Sequence, residues 1–133
     1  MNIKKAKISD IKDIMKMYRS CVNGMIKNDI DQWDEKYPNK EIIFSDISEE
    51  TYYIAEINNE IIGGVNIDKY QDETYLNIDW KDKTNSFLVV HRLAVKENYW
   101  NRKIGKKIMQ FAEKLVVLNG LKSIRLDTYS GNP

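Results

Sequence analysis

The feature that most constrains the fold of this sequence is a buried strand that leads directly into a helix, within residues 87–118. Residues 87–95 form an apolar run with several β-branched members, which is typical of a strand buried on both faces. From residue 104 onward the apolar residues recur at intervals of three and four, which predicts a helix. Its apolar face consists of Ile104, Ile108, Phe111, Ala112, Leu115 and Leu118. The connection between strand and helix therefore lies at residues 96–103.

The start of this predicted helix is strongly basic. A helix N-terminus exposes backbone N–H groups and the positive end of the helix dipole, so it attracts anions. Cations there repel one another and oppose the dipole, which favours a bound polyanion that neutralises Arg102, Lys103, Lys106 and Lys107. Gly105 would let such a ligand approach the backbone closely. The alternative is that these side chains only solvate a helix face, but the buried strand before them favours the anion site.

The segment 91–109 resembles the acetyl-CoA-binding motif of the GNAT family of N-acetyltransferases. In that family a strand ending in a phrase like Arg-Leu-Ala-Val precedes a Q/R-x-x-G-x-G/A turn, which falls here on residues 100–105. Gly105 matches the last position, whereas Trp100 stands where Gln or Arg is usual and Lys103 replaces the first glycine. Neither replacement removes a backbone N–H, so phosphate binding by the amides is retained.

The resemblance implies an α/β fold, the acyl-CoA N-acyltransferase (GNAT-like) fold, with a mixed, mostly antiparallel sheet flanked by helices. It implies transfer of the acetyl group of acetyl-CoA, without a metal, to a primary amine of a small molecule or peptide by direct attack on the thioester. Acetyl-CoA would lie along the strand with its pyrophosphate on the turn. The cofactor residues by this resemblance are Leu93, Ala94, Val95, Arg102, Lys103, Ile104, Gly105, Lys106, Lys107 and Asn132.

The implied reaction needs a base for the amine, donors for an oxyanion and an acid for the leaving thiolate. His91 is the only histidine and hence a candidate base, although a histidine in an apolar strand is more often a core residue. Glu56 and Asp127, near predicted strand ends, are further candidate bases that equally suit surface roles. Tyr129 is a candidate acid, since the helix that supplies the family's tyrosine would follow the end of this sequence. A backbone N–H of residues 93–95 is the expected oxyanion donor.

The acceptor side of the cleft is expected at residues 28–38, a polar stretch that contains aromatic residues. By the resemblance, the candidate substrate contacts are Gln32, Trp33 and Tyr37. Packing of Trp33 on the core is the commoner role for such a residue and remains the alternative.

Composition excludes several classes of function. At 133 residues the chain has the size of a single domain, 1–133, and its net charge of +1 provides no general attraction for nucleic acid or membrane. We find no apolar run of membrane-spanning length and no signal-peptide core. The single cysteine, Cys21, cannot form an internal disulfide, which favours a cytoplasmic protein.

The remaining patterns predict the element order β-α-α-β-β-(β)-β-α-β. An opening strand at 3–8 leads to an N-cap at Ser9 and an amphipathic helix ending near Met25 or Ile26. A short helix follows, then two strands joined by a tight turn, an optional extra strand and a last strand. The helix is 41–47, the two strands are 51–57 and 60–67, the optional strand is 75–80 and the last strand is 122–128. The tight turn is Asn58-Asn59, and Gly63-Gly64 predicts a bulge or a close approach within the second strand. Gly120 is a candidate helix C-cap before the last strand.

Relative to the family pattern, the sequence ends before a helix and two final strands. We expect either a C-terminally incomplete domain or a homodimer in which a second copy completes the sheet. Two further functions stay open: a CoA-binding module without catalysis, and binding of nucleic-acid phosphates by residues 102–107. The near-zero net charge disfavours the second.

Overall fold

The fold is built on a sheet of five described strands in which strands consecutive in sequence are neighbours. The computed structural model describes residues 1–27, 39–68, 87–121 and 123–126. The strands are β1 (Asn2–Lys5), β2 (Tyr52–Ile57), β3 (Glu60–Asp68), β4 (Phe87–Val95) and β5 (Ser123–Leu126). The helices are α1 (Ile11–Lys27), α2 (Lys40–Ser48) and α3 (Ile104–Leu118), with 3₁₀ turns at Ile8–Asp10 and Glu97–Tyr99.

The sheet is mixed and mostly antiparallel, as expected. Strands β1 to β4 pair antiparallel in sequence order, and β5 pairs parallel to β4 after the crossover through α3. The optional extra strand at 75–80 lies outside the described residues.

Helices cover both faces of the sheet, and the sheet separates the core into two layers. On one face α1 and α2 pack against residues such as Ile14, Ile43 and Ile54. On the other face α3 packs against Ala55 and Val65. Ile54 and Ala55 are adjacent in β2 yet belong to different layers, because successive strand residues point to opposite faces.

The tight turn and the glycine pair occur where the sequence predicts them. Asn58 and Asn59 both have left-handed backbones, with φ of 52° and 66°, as a two-residue hairpin turn requires. At Gly64 an added Cβ would collide with the Tyr52 hydroxyl and lie 3.0 Å from Met17 Cε. The glycine is therefore explained by close approach.

The start of α1 differs from the prediction. The opening strand ends at Lys5 rather than at residue 8, and Ser9 is not an N-cap but lies inside the 3₁₀ turn. The Asp10 carboxylate accepts a hydrogen bond from the Lys7 N–H at 2.8 Å, so a cap two residues earlier starts the helical segment. At the other end of α1, Met25 is buried and Ile26 is exposed.

The buried face of α3 agrees with the predicted one except at its last turn. The residues that reach the core recur every four positions: Ile104, Ile108, Ala112 and Val116. Leu118 was expected on this face, but it is 80% exposed. Leu118 follows Val116 by two residues, about 200° around the helix. Phe111 and Leu115, also predicted on this face, are partly buried and pack against the same core, so only Leu118 was wrongly placed.

Candidate active site at the bulge of β4

The candidate site begins with a bulge in β4. Gly64 of β3 is opposite Ala94, whereas Asn66, two residues on, is opposite His91. Two steps along β3 thus correspond to three steps along β4, which leaves one extra residue in β4. Arg92 lies in this bulge with a φ of 56°, a conformation that non-glycine residues rarely adopt.

Beyond the bulge, the backbone of β4 alternates between β3 and the opposite side. The Lys96 N–H donates to the Ile62 carbonyl of β3 at 2.8 Å. By the alternation of an antiparallel ladder, Ala94 also faces β3, while Leu93 and Val95 face away. Strand β5 pairs with residues 87–90 of β4, so residues 91–95 have no β5 partner among the described residues. In the described part of the chain, the edge of β4 that faces away from β3 is therefore paired with β5 only at residues 87–90.

Neighbouring side chains already use the polar groups of Val95. The Trp100 indole N–H donates to the Val95 carbonyl at 2.7 Å. A hydrogen bond from the Val95 backbone reaches the Cys21 thiol, and burial, the larger influence, raises the pKa of that thiol to about 11. Of the three strand residues predicted to contact the cofactor, Leu93 is the one whose N–H we infer to point away from β3 toward the cofactor.

The basic turn after β4 leads to an open helix N-terminus. Lys103 is the N-cap of α3, with a left-handed φ of 61° and no capping hydrogen bond from its side chain. The Lys107 N–H donates to the Lys103 carbonyl at 3.2 Å, so the N–H groups of residues 104–106 precede the first intrahelical bond. An added Cβ at Gly105 would meet nothing within 4 Å. Backbone donors and open space thus occur together, and the first turn of α3 contains no acidic residue.

The predicted cations surround this N-terminus. Lys103, Lys106 and Lys107 are exposed. Arg102 is also exposed, and its guanidinium lies 5.1 Å from the centre of the Tyr99 ring. Ile104 is buried in the core, so only its backbone is available to a ligand. The positive φ of Lys103 also explains why a glycine suits this position in the motif.

His91 belongs to a buried polar network on the α1 side of the sheet. Its side chain is 4% exposed, and its Nε2 lies 3.0 Å from Asp68 Oδ1. The Asn66 amide donates to Asp68 at 2.7 Å and accepts a hydrogen bond from Thr51. This geometry suits a satisfied core histidine, and it also suits a base whose protonated form Asp68 stabilises.

Arg92 is held through both its side chain and its backbone, which the sequence did not predict. Its guanidinium donates two hydrogen bonds of 2.8 Å to the Asp46 carboxylate of α2. Burial raises the pKa of Asp46, and the nearby Arg92 opposes that effect. The Arg92 carbonyl accepts a hydrogen bond from the Tyr18 hydroxyl at 2.6 Å, and Tyr18 accepts one from Tyr52 at 2.8 Å. The sequence contains one signal of this network: Tyr18 and Tyr52 lie within apolar patterns, and a buried tyrosine hydroxyl requires a hydrogen-bond partner.

Both tyrosines remain neutral at physiological pH. Burial is the main cause that raises the pKa of Tyr18 and of Tyr52 well above the usual range of a phenol. Their hydroxyl groups therefore act as hydrogen-bond donors and acceptors, not as acids.

Glu56 lies away from His91 in the sheet. The register sets His91 beside Asn66, which is opposite Tyr52, and Glu56 is four residues further along β2. Its Oε1 pairs with Lys4 Nζ at 2.9 Å. Other sequence candidates are outside the described residues: Gln32, Trp33, Tyr37, Asp127, Tyr129 and Asn132.

A separate apolar groove of about 740 Å³ lies between β1 and α3, at the sheet edge opposite β5. Its lining includes Ile3, Phe111 and Leu118, so the exposed Leu118 side chain lies in this groove.

Within the described ranges, no group of three or more potential metal ligands occurs. No helix in the described part of the chain has the length and apolar character needed to cross a bilayer.

Comparison with known proteins agrees with this architecture. Residues 11–133 match the model of a family described as the acetyltransferase (GNAT) family. A search of curated proteins gives no significant match.

Several solved structures are similar over almost the whole chain. A protein of Staphylococcus aureus Mu50, provisionally named an acetyltransferase, is 26% identical with a TM-score of 0.79, over 98% of this chain and 81% of that one. A GNAT-family acetyltransferase of Streptococcus agalactiae 2603 is 22% identical with a TM-score of 0.81, over 98% and 77%. The PaiA N-acetyltransferase of Thermoplasma acidophilum, solved with coenzyme A, is 20% identical with a TM-score of 0.72, over 98% and 80%.

Proposed function

Because this chain belongs to the GNAT acetyltransferase family, we propose that it transfers the acetyl group of acetyl-CoA to a primary amine of a small molecule or peptide. The observation that carries the proposal is the proximity of two features along the chain. The Leu93 N–H, on the edge of β4 that faces away from β3, and the unblocked N-terminus of α3 are joined by residues 94–103.

The residues present fit coenzyme A. Its pyrophosphate would bind the N–H groups of residues 104–106, and Lys103, Lys106 and Lys107 would neutralise its charge. The open space at Gly105 supports close approach to the backbone. Acetyl-CoA would supply the activated acetyl thioester.

Leu93 is the residue that we assign to oxyanion stabilisation. A backbone N–H aimed at the thioester oxygen stabilises the negative charge that develops when an amine attacks the carbonyl carbon. The donor belongs to a bulge fixed on two sides by Tyr18 and Asp46, so little reorganisation accompanies the reaction.

We assign deprotonation of the acceptor amine to His91, supported by Asp68. If His91 is the base, His91→Gln lowers kcat by about 10²-fold or more and removes the acid limb of the pH–rate profile. The affinity for acetyl-CoA stays the same, because His91 is remote from the phosphate turn in sequence and in sheet register. An unchanged kcat across pH would leave His91 as a core residue only.

The proposed function is tested by titrating acetyl-CoA into the protein in a calorimeter and by assaying acetylation of a panel of amines. Lys103→Glu and Lys106→Glu should each weaken acetyl-CoA binding at least about 10-fold, since each reverses a charge beside the pyrophosphate. Lys114→Glu is the matched control, because it makes the same change on an exposed position of the same helix, over two turns away.

Each outcome has a distinct meaning. Binding that Lys103→Glu weakens, together with turnover of an amine, supports the proposal. Binding without turnover on any amine indicates a CoA-binding module without catalysis. Absence of binding by the folded wild-type protein contradicts both functions.

A further inference from the structure

The orientation of the peptide group that supplies the Leu93 N–H depends on two buried tyrosines of the α1 layer. We propose that Tyr18, supported by Tyr52, is a positioning residue for acyl transfer, because its hydroxyl fixes the peptide plane between Arg92 and Leu93. This inference rests on the proposed function and adds residues to its site.

The bulge leaves the Arg92 carbonyl without a place in the ladder with β3. Asn66 pairs with His91 and Gly64 with Ala94, so Arg92 and Leu93 together face only Val65. A buried carbonyl in such a position needs another donor. The Tyr18 hydroxyl is that donor, at 2.6 Å, although Tyr18 and Arg92 are 74 residues apart in the sequence.

The second tyrosine fixes the first. Tyr52 donates to the Tyr18 oxygen at 2.8 Å, and the two residues are 1% and 2% exposed. The Tyr52 hydroxyl lies against Gly64 of β3, where an added Cβ would collide with it. The hydroxyl pair is thus located on the β3 side of β4, on the face of the sheet that α1 covers.

Peptide geometry transmits this position to Leu93. The Arg92 carbonyl and the Leu93 N–H belong to one planar trans peptide group and therefore point in opposite directions. Because Tyr18 holds the carbonyl on the β3 side and toward α1, the N–H points the opposite way, away from β3. The position of this hydroxyl thereby constrains the direction of the inferred oxyanion donor.

The Arg92 side chain provides a second constraint on the same residue. Its two hydrogen bonds to Asp46 hold it against α2, while Tyr18 holds its backbone from α1. The left-handed φ of 56° is therefore maintained by contacts from two helices. Loss of the Tyr18 hydroxyl would keep the side chain attached to Asp46 and remove the hydrogen bond from α1 to the peptide carbonyl.

The experiment compares Tyr18→Phe with the wild-type protein by steady-state kinetics, CoA titration and infrared spectroscopy of bound acetyl-CoA labelled with ¹³C at the carbonyl. We expect kcat to fall about 10- to 100-fold, less than the roughly 10²- to 10³-fold cost of losing an oxyanion donor, because the Leu93 N–H is mispositioned and not removed. The affinity for CoA should change less than about twofold, since the phosphate turn is untouched. The thioester C=O stretch, lowered in the wild-type complex by the Leu93 hydrogen bond, should move to higher frequency in the variant.

Tyr53→Phe is the matched control. It removes a hydroxyl from the next residue of β2, whose ring packs against Phe111 of α3 in the other layer. Kinetics and carbonyl frequency should equal those of the wild type. Tyr52→Phe should change kcat and the carbonyl frequency in the same direction as Tyr18→Phe, but by less. If Tyr18→Phe does not fold, Tyr52→Phe serves as the test variant.

The outcomes separate this inference from the proposed function. Turnover and carbonyl frequency that stay at wild-type values in Tyr18→Phe and Tyr52→Phe overturn the inference and leave the proposed function intact. A carbonyl shift that Tyr18→Phe abolishes, in a wild-type protein without turnover, supports the inference and contradicts the function. A wild-type protein that does not bind acetyl-CoA overturns both.

Discussion

At the scale of single residues, Arg92 occupies a position that glycine would occupy at lower cost. A left-handed conformation costs a non-glycine residue about 1–2 kcal/mol. The structure offsets this cost with two hydrogen bonds to Asp46 and one from Tyr18 to the backbone. Glycine would relieve the strain but lose the link to α2, so the arginine contributes to tertiary structure as well as to the shape of the bulge.

Cys21 provides a prediction at this scale. Burial raises the pKa of its thiol to about 11, from a reference value of 9.0. A group with a raised pKa stays protonated to higher pH, so at pH 8 the folded protein has about 100-fold less thiolate than the unfolded chain. We expect iodoacetamide to alkylate the native protein at least that much more slowly than the protein in denaturant.

Since Cys21 is the only cysteine, intact mass spectrometry measures its alkylation directly. The native rate should rise about tenfold per pH unit beyond pH 9, where an ordinary thiol begins to level off. Equal rates in the native and denatured protein would contradict the buried position.

At the scale of elements, a glycine lies near each end of α3, and the two glycines have different structural reasons. Gly105 lies in the first turn, where its backbone is helical, and an added Cβ would meet nothing. Gly120 follows the last turn with a φ of 68°, and an added Cβ there also meets open space. Gly105 leaves space for the proposed ligand to approach the backbone, whereas Gly120 adopts a positive φ that other residues rarely adopt.

Gly105→Ala should therefore stabilise the protein and weaken its proposed ligand. Alanine is the better helix former, so we expect the free energy of unfolding to rise by about 0.5 kcal/mol. The new methyl group would enter the space before the first-turn N–H groups and lower the affinity for CoA. Urea denaturation and CoA titration measure the two effects.

Gly120→Ala is the matched control for this prediction. It should lower the free energy of unfolding by about 1 kcal/mol, because alanine is strained at positive φ, and it should leave CoA affinity unchanged. An unchanged CoA affinity in Gly105→Ala would contradict binding of the pyrophosphate at the start of α3.

At the scale of the whole molecule, α1 connects the two parts of the candidate site. Tyr18 contacts the bulge of β4, while Ser20, two residues later, accepts a hydrogen bond from the Glu97 N–H at 3.2 Å. One turn further on, Gly24 lies against Trp100, so closely that an added Cβ would be 2.8 Å from its ring. Helix α1 thus packs against both the bulge of β4 and the segment that leads to the phosphate turn.

The Asp46–Arg92 pair is the corresponding link between α2 and the sheet, and it gives a prediction at this scale. The side chains are 11% and 15% exposed, so Asp46→Ala would leave the arginine buried without its carboxylate. We expect a loss of about 3 kcal/mol in the free energy of unfolding, measured by urea denaturation. Glu60→Ala is the control: it breaks an ion pair with Lys96 in which Glu60 is 43% exposed, and it should cost under about 1 kcal/mol.

The sequence by itself determined those parts of the protein that depend on local chemistry. Strand 87–95 and the helix from residue 104 follow from apolar periodicity, and the Asn58-Asn59 turn follows from the φ that asparagine tolerates. The motif at residues 91–105 also led to the correct family and fold. These patterns span only a few residues, so neighbouring positions suffice to recognise them.

Only the tertiary structure decided the bulge, its partners and the last buried position of α3. The contacts of Arg92 join residues 46 and 74 positions apart, and the environment of His91 depends on Asp68, 23 positions away. Likewise, Val116 rather than Leu118 reaches the core, because the angle between α3 and the sheet selects the row of buried residues. Such features arise from packing between distant segments, and the residue types at each position are compatible with several arrangements until the layers assemble.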